Sequence, residues 1–235
     1  MQNVLGLVKR IASSDTPVFI TGESGTGKKT IAGLVHALSR RAQGPLVKVN
    51  CATVPRELIE LELFGAVRGA RPDFEGHFQK AHGGSLLLEQ ITEMPPETQL
   101  TLLGVLQDEE FRPVGAATPV KVDCRVLAAT DRRVEDALRE GRLRDDLFSR
   151  LSSVIIRLPS LRERREDILP LAGAFLKRFA AESGSVISGF TPAAADALQR
   201  REWPGNVRQL ETAVQRAVLV CEGKFVDLPD LPLNR

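Results

Sequence analysis

The sequence predicts a parallel α/β domain followed by a small helical one, and three observations carry that prediction. Apolar runs of strand length alternate with helical patterns from the N-terminus to about residue 159. A glycine-rich turn joins the first predicted strand to the next helix. Beyond residue 159 only helical patterns remain.

The elements follow in order. From Met1 to about Ala12 apolar residues recur at helical spacing, and Pro17–Thr21 gives the first strand. Further strands are predicted at Leu46–Asn50, Ser85–Leu88, Arg125–Thr130 and Val154–Leu158, with helices at Pro55–Leu63, Pro96–Gln107 and Val134–Arg139 between them. Strands that alternate with helices imply a largely parallel sheet covered on both faces. Past Leu158-Pro159-Ser160 the helices are about Glu166–Glu182, Pro192–Arg201 and Val207–Val220. Thr191-Pro192 supplies an N-cap and a first-turn proline, and Trp203-Pro204-Gly205-Asn206 is turn chemistry that feeds the last helix. The expected division is therefore 1–159 and 160–235.

Composition narrows the function. The 235 residues are 43% hydrophobic and 26% charged, enough for a substantial core. Lysine plus arginine (32) nearly balances aspartate plus glutamate (30), which is not the footprint of a dedicated nucleic-acid binder. Cys51, Cys124 and Cys221 are far apart and show no C-x-x-C spacing, so each is expected to be a reduced, buried structural residue. His36, His77 and His82 lack metal-ligand spacing. No apolar run nears the roughly 20 residues that cross a bilayer, and the N-terminus does not read as a signal peptide, so a cytoplasmic location without membrane contact is expected.

Gly22-Glu23-Ser24-Gly25-Thr26-Gly27-Lys28-Lys29 ends a predicted strand and opens a predicted helix, the context that a G-x-x-x-x-G-K loop requires. Glycines let backbone N–H groups face phosphate oxygens, the helix N-terminus adds positive potential, and Lys28 reaches the outer phosphates. The general pattern continues with a serine or threonine whose hydroxyl contacts magnesium. Here that position is Lys29, which would either neutralise phosphate charge or, as favoured, be simply solvated, and Thr30 comes one place late.

Several landmarks in order then resemble the AAA+ central domain of the bacterial sigma-54-dependent transcription activators. Gly22–Lys28 looks like that family's nucleotide loop. It is followed by Asn50-Cys51-Ala52, Glu62-Leu63-Phe64-Gly65, Gly83-Gly84-Ser85-Leu86-Leu87-Leu88, Leu143–Leu151, Leu158-Pro159-Ser160-Leu161-Arg162-Glu163-Arg164 and Trp203-Pro204-Gly205-Asn206-Val207-Arg208. The resemblance covers nearly the whole chain and implies an AAA+ P-loop NTPase fold with a helical lid, binding ATP or ADP. It makes Asn50 the switch asparagine, Thr130 and Asp131 the first sensor, and Arg208 the second. Arg144 and Arg150 become arginine fingers for a neighbouring subunit's site, in a ring of six or seven. Trp203 reads as a packing anchor of the lid.

Two departures from the family stand out. Where the family has Asp-Glu after the Gly-Gly strand, this chain has Glu89-Gln90. Glu89 can act on Mg2+ only with its carboxylate shifted by a methylene, through water, and Gln90 cannot accept a proton. Loss of a positioned base costs about 10²–10⁴ in rate. The family's sigma-contacting G-A-F-T-G-A loop is replaced by Gly69-Ala70-Arg71-Pro72-Asp73-Phe74-Glu75-Gly76, which lacks the Phe-Thr pair and lies in a shorter segment.

The reading is thus a transcription-regulator module in which nucleotide organises self-association, with hydrolysis weak or absent and sigma-54 remodelling lost. Its partners would be further copies of itself, RNA polymerase holoenzyme or a related activator subunit. DNA would be met only through a flanking domain, for which no helix-turn-helix follows Val220, as in an excised domain or a reduced paralogue. The alternatives are a working remodelling ATPase and a nucleotide-independent oligomerisation scaffold.

Overall fold

The computed structural model describes residues 1–68 and 71–232, with positions 68 and 71–73 described by the backbone alone. Five parallel strands form one sheet, in the spatial order Leu46–Asn50, Ser85–Glu89, Arg125–Thr130, Val18–Thr21, Val154–Arg157. The predicted strands at 46–50 and 125–130 match residue for residue, and the others differ by a single end residue. Burial explains the clarity: Arg125–Thr130 and Ser85–Leu88 are buried along their whole length, so they read as continuous apolar runs rather than alternating ones.

Register decides where chemistry gathers. Asn50 pairs with Glu89, Glu89 with Ala129, and Thr21 with Thr130, so the carboxyl ends of four neighbouring strands finish at one edge. In an open parallel sheet that edge is where ligands bind.

The chain divides into two compact units. One comprises residues 2–22 and 28–157, and the other comprises 23–27 and 158–235 together with Met1. The first is organised around the sheet, with a core running from Phe19, Leu86, Leu88 and Ala128 to Phe64, Phe78 and Phe111. Phe64 stacks on Phe78 at 5.4 Å, and Phe19 meets Phe148 edge-on at 5.2 Å. Arg125 is buried within this unit because its guanidinium donates to the carbonyls of Ile11, Ala12 and Thr16 at 2.8–3.2 Å. It thereby caps the C-terminal end of the helix Gln2–Ile11, where a cation is favoured.

The second unit packs the helices Ile168–Ser183, Pro192–Arg200 and Asn206–Val220 around Trp203, Leu176, Leu198 and Leu210. Thr191 accepts from the Ala194 amide as an N-cap, followed by Pro192. Trp203 is fully buried and donates its indole N–H to the Leu198 carbonyl at 2.8 Å, the anchoring role expected of it.

Several expectations are corrected. The C-terminal unit is not helical throughout: Gly189–Phe190 pairs in parallel with Phe225–Val226. Two-residue strands carry too little periodicity to register in a sequence. The helix predicted over Pro55–Leu63 spans Ile59–Phe64, its first residues closing as turns behind Pro55. Of the cysteines only Cys51 is fully buried, while Cys124 and Cys221 are partly buried and pack against the cores of their units.

The segment expected as the sigma-contacting loop is flanked by an antiparallel pair, Ala66–Arg68 with Arg71–Phe74. Its Gly69 and Ala70, and the side chains of Arg71, Pro72 and Asp73, lie outside the described residues. At the base Gly65 has φ +75°, and a Cβ there would press on the Phe74 carbonyl and the Gly76 amide. Two backbones meet there at glycine separation.

Candidate nucleotide site

The glycine-rich loop departs from the strand Val18–Thr21, and the helix Lys28–Ala37 begins at its far end. Gly22, Gly25 and Gly27 have φ of 149°, 77° and 104°, backbone that side-chain-bearing residues rarely adopt. The Lys28 ammonium donates to the Gly22 carbonyl at 2.6 Å, folding back over the loop.

The tip, Glu23–Gly27, is held by residues from the C-terminal unit to which it belongs. Asn206, fully buried, accepts from the Leu161 amide at 2.7 Å and donates to the Ser24 carbonyl at 3.0 Å and the Glu23 carboxylate at 3.1 Å. The amides of Val207 and Arg208 donate to the Gly25 carbonyl at 2.9 and 3.3 Å, so the loop caps the first turn of the helix Asn206–Val220. Arg164 donates to the Thr26 carbonyl at 2.9 Å, and Arg162 forks onto the Glu23 carboxylate, one arm at 2.8 Å. Burial lowers the pKa of Arg164, whose 2.9 Å bond still needs only an N–H donor. A Cβ on Gly25 would collide with the Gly205 carbonyl oxygen.

Of these residues the sequence had singled out Glu23–Gly27 and Arg208. Arg208 stands beside Gly25 with an exposed side chain. The tethering roles of Arg162, Arg164 and Asn206 were not read. One signal existed: asparagine after Pro-Gly is a residue suited to left-handed backbone, and Asn206 has φ +52°.

The strand ends of the other unit hold the remaining candidates. Thr130 is fully buried, its hydroxyl 3.1 Å from that of Thr92 and accepting from the Arg132 amide at 3.1 Å. Asn50, at the end of its strand, accepts from the Ala52 amide at 3.0 Å through its side-chain oxygen. Gln90 sits in left-handed backbone at φ +55°, and its side chain makes a reciprocal pair with Asp131. The Gln90 amide donates to Asp131 Oδ2 at 2.8 Å, and the Asp131 backbone N–H returns a bond to Gln90 Oε1 at 3.4 Å. Position 90 thus carries an amide, already committed, and the carboxylate stands on its partner.

Lys29 is not simply solvated, as expected, but lies with its ammonium 2.9 Å from Glu89 Oε1. The physical reason is its place in the first turn of a helix that has no acidic residue there, where a lone cation is disfavoured and a carboxylate within reach offsets it. The donors differ from those of the general phosphate-loop pattern: an ammonium stands at position 29, where that pattern has a hydroxyl, and it pairs with the Glu89 carboxylate through which a magnesium ion would be met by way of water.

Arg144 and Arg150, the expected fingers, flank the helix Asp145–Leu151, Arg144 preceding it and Arg150 in its last turn. Arg144 forks onto Asp146 at 3.0 and 2.7 Å, and its backbone amide donates to Gln99. Arg150 chelates the Leu106 carbonyl at 3.1 and 2.7 Å. Both are exposed.

With this geometry in hand, comparison with known proteins identifies the relatives. Residues 1–157 match the model of the sigma-54 interaction domain, and residues 162–234 that of the AAA+ ATPase lid domain. The transcriptional regulatory protein ZraR of Salmonella typhimurium is 45% identical over 99% of this chain and 54% of its own length. The DNA-binding transcriptional regulator NtrC of Escherichia coli is 44% identical over 99% of this chain and 50% of its own. Among solved structures, NtrX from Brucella abortus in complex with ATP is 40% identical, with a TM-score of 0.92 over 99% of this chain and 52% of that one. Its complex with ADP gives 0.91 over 98% of this chain and 52% of that one. The chain spans about half the length of the curated relatives it matches. With these two models covering residues 1–157 and 162–234, the chain belongs to the family as the AAA+ central domain of an NtrC-like sigma-54-dependent activator.

Proposed function

We propose that this chain binds ATP or ADP through Gly22–Lys28, uses the nucleotide to organise self-association in a transcription regulator, and hydrolyses ATP weakly or not at all. Support for binding comes from the loop's three positive-φ glycines and its tethered tip. It is reinforced by the ADP and ATP complexes of NtrX. The observation that carries the rest is the Gln90–Asp131 pair, which leaves an amide where the family has a proton-accepting carboxylate. Binding and turnover measured side by side test this. The native chain should bind nucleotide with little turnover, and Lys28→Ala should weaken binding by about 100-fold or more, since a phosphate-paired ammonium is lost. Unchanged calorimetric affinity in that variant refutes the assignment.

One observation favours a second reading. The Asp131 carboxylate, 2.8 Å from the Gln90 amide, is itself a proton acceptor, so a working ATPase would use Asp131 as its base. Native turnover abolished by Asp131→Asn would select that reading.

Self-association would place Arg144 and Arg150 at a neighbour's phosphates, in a head-to-tail ring of six or seven subunits, with Arg208 reading the same nucleotide from its own subunit. In the longer protein that the relatives represent, RNA polymerase holoenzyme or a related activator subunit would be the target, with DNA bound by a flanking domain. Remodelling of sigma-54 holoenzyme should be lost, because the committed Gln90 and the replaced Phe-Thr pair remove both the driven switch and its contact. ATP-dependent open complexes at the rate of an intact activator, in an assay with a DNA-binding domain fused, would contradict this.

A further inference from the structure

We propose that the C-terminal unit carries a second anion site, a pocket beside Arg216 that docks a short acidic segment of a partner protein. Its lining includes no residue of Gly22–Lys28, so it stands whether or not nucleotide binds there.

The arginines of this unit show where a counterion is missing. Arg165, Arg178 and Arg200 pair with Glu202, Glu211 and Asp196 at 2.6–3.0 Å. Arg208 and Arg216, both on the helix Asn206–Val220, make no ion pair with a described residue. Arg208 stands beside Gly25, where a phosphate held by the loop would answer it. Arg216 lies eight residues further on, about 12 Å along the helix axis, so its anion is a different one. Solvent answers for most exposed arginines. What sets Arg216 apart is that it lines a cavity in which no carboxylate faces it. Glu202 and Glu211, the acidic residues nearest to it along the chain on the pocket's two sides, are already spent on Arg165 and Arg178.

The other groups around the cavity say what kind of anion fits. Its volume is about 190 Å3, below the roughly 300–1,000 Å3 of small-molecule pockets and suited to one or two side chains. Trp203, Ala213 and Pro232 supply an apolar wall, and the Arg201 guanidinium lies over the Trp203 ring at 5.4 Å. Gln209 spends its side-chain oxygen on the Gly205 amide at 3.0 Å, which leaves its NH2 group as a donor. Thr212 does the reverse: its hydroxyl proton goes to the Arg208 carbonyl at 3.0 Å, which leaves its oxygen as an acceptor. The pocket thus offers cationic and amide donors to a carboxylate, a hydroxyl oxygen to a backbone N–H, and an apolar wall to an aliphatic stem. Inorganic phosphate uses only the first of these, whereas an acidic peptide uses all three.

Trp203 is the only tryptophan and the chain has no tyrosine, so its fluorescence reports on the pocket wall. The test titrates the full 235-residue chain at low salt with a blocked hexapeptide of alternating glutamate and leucine, with its glutamine counterpart, with free glutamate and with inorganic phosphate. The expected result is a saturable change in Trp203 emission with the glutamate peptide, at a Kd below about 1 mM, and none with the glutamine peptide. Arg216→Gln should weaken that binding by about 5-fold or more. Lys177→Gln removes the same charge outside the cavity and should leave binding within about 2-fold. Equal binding of the two peptides, or equal losses in the two variants, overturns the proposal, because either makes the attraction general. Saturation by phosphate or free glutamate at the affinity of the peptide would make this a small-anion site and overturns the docking of a protein segment. No saturation by the glutamate peptide, in fluorescence and in calorimetry alike, overturns it outright. Both substituted side chains are exposed, so thermal melts of the variants should match the native chain and separate a lost site from a lost fold.

Discussion

The tip of the phosphate loop and the strand ends at Glu89 and Asp131 are held by different kinds of partner. The tip is tied down from its own unit: Asn206, Arg162, Arg164 and the amides of Val207 and Arg208 all converge on Glu23–Gly27. At the strand ends an ammonium meets Glu89, and an amide meets Asp131. On the proposed reading, binding and turnover rest on separable sets of groups. Backbone geometry carries the first, and the identity of a few side-chain termini carries the second.

The largest effect should come from exchanging those termini. Because Gln90 and Asp131 form a reciprocal pair, Gln90→Glu alone would set two carboxylates against each other. Glu89→Asp, Gln90→Glu and Asp131→Asn together keep the hydrogen bond while moving the carboxylate to position 90. That triple variant should raise turnover by about 10²–10⁴, the usual contribution of a positioned base, and the gain should be much smaller if Asp131 is kept. A steady-state phosphate-release assay measures both. Equal rates in the triple variant and the native chain would mean that the strand ends are damaged beyond these residues.

A smaller effect, on stability, is expected from the tip. Asn206→Ala orphans the buried Leu161 amide and the Ser24 carbonyl and puts alanine in left-handed backbone, at a cost of about 2–4 kcal/mol. Arg162→Ala breaks a pair whose members are 38% and 44% exposed, and its cost should stay under about 1 kcal/mol. Urea denaturation of both variants ranks them. A reversed ranking would remove Asn206 from its central place in the comparison.

Much of this was legible in the sequence, and the reasons are local. The strands at 46–50 and 125–130, the loop Gly22–Lys28 and the cap at Thr191-Pro192 declare themselves because a buried strand is a run, a P-loop is a spacing, and a cap is a pair of adjacent residues. The two-residue strands at Gly189–Phe190 and Phe225–Val226 did not, being shorter than any period that marks a strand.

The sequence by itself determined the family, the order of strands and helices along the chain, and an amide rather than a carboxylate at position 90. Those are properties of residue type and spacing, which are complete before folding. Only the tertiary structure decided that Lys29 is matched to Glu89, 60 positions away, and Gln90 to Asp131, 41 positions away. It also decided that Asn206 serves Glu23 and Ser24 from a distant turn. Side-chain hydrogen bonds and ion pairs act over about 3 Å, and the folded path of the backbone, not proximity in the chain, determines which termini come within that reach.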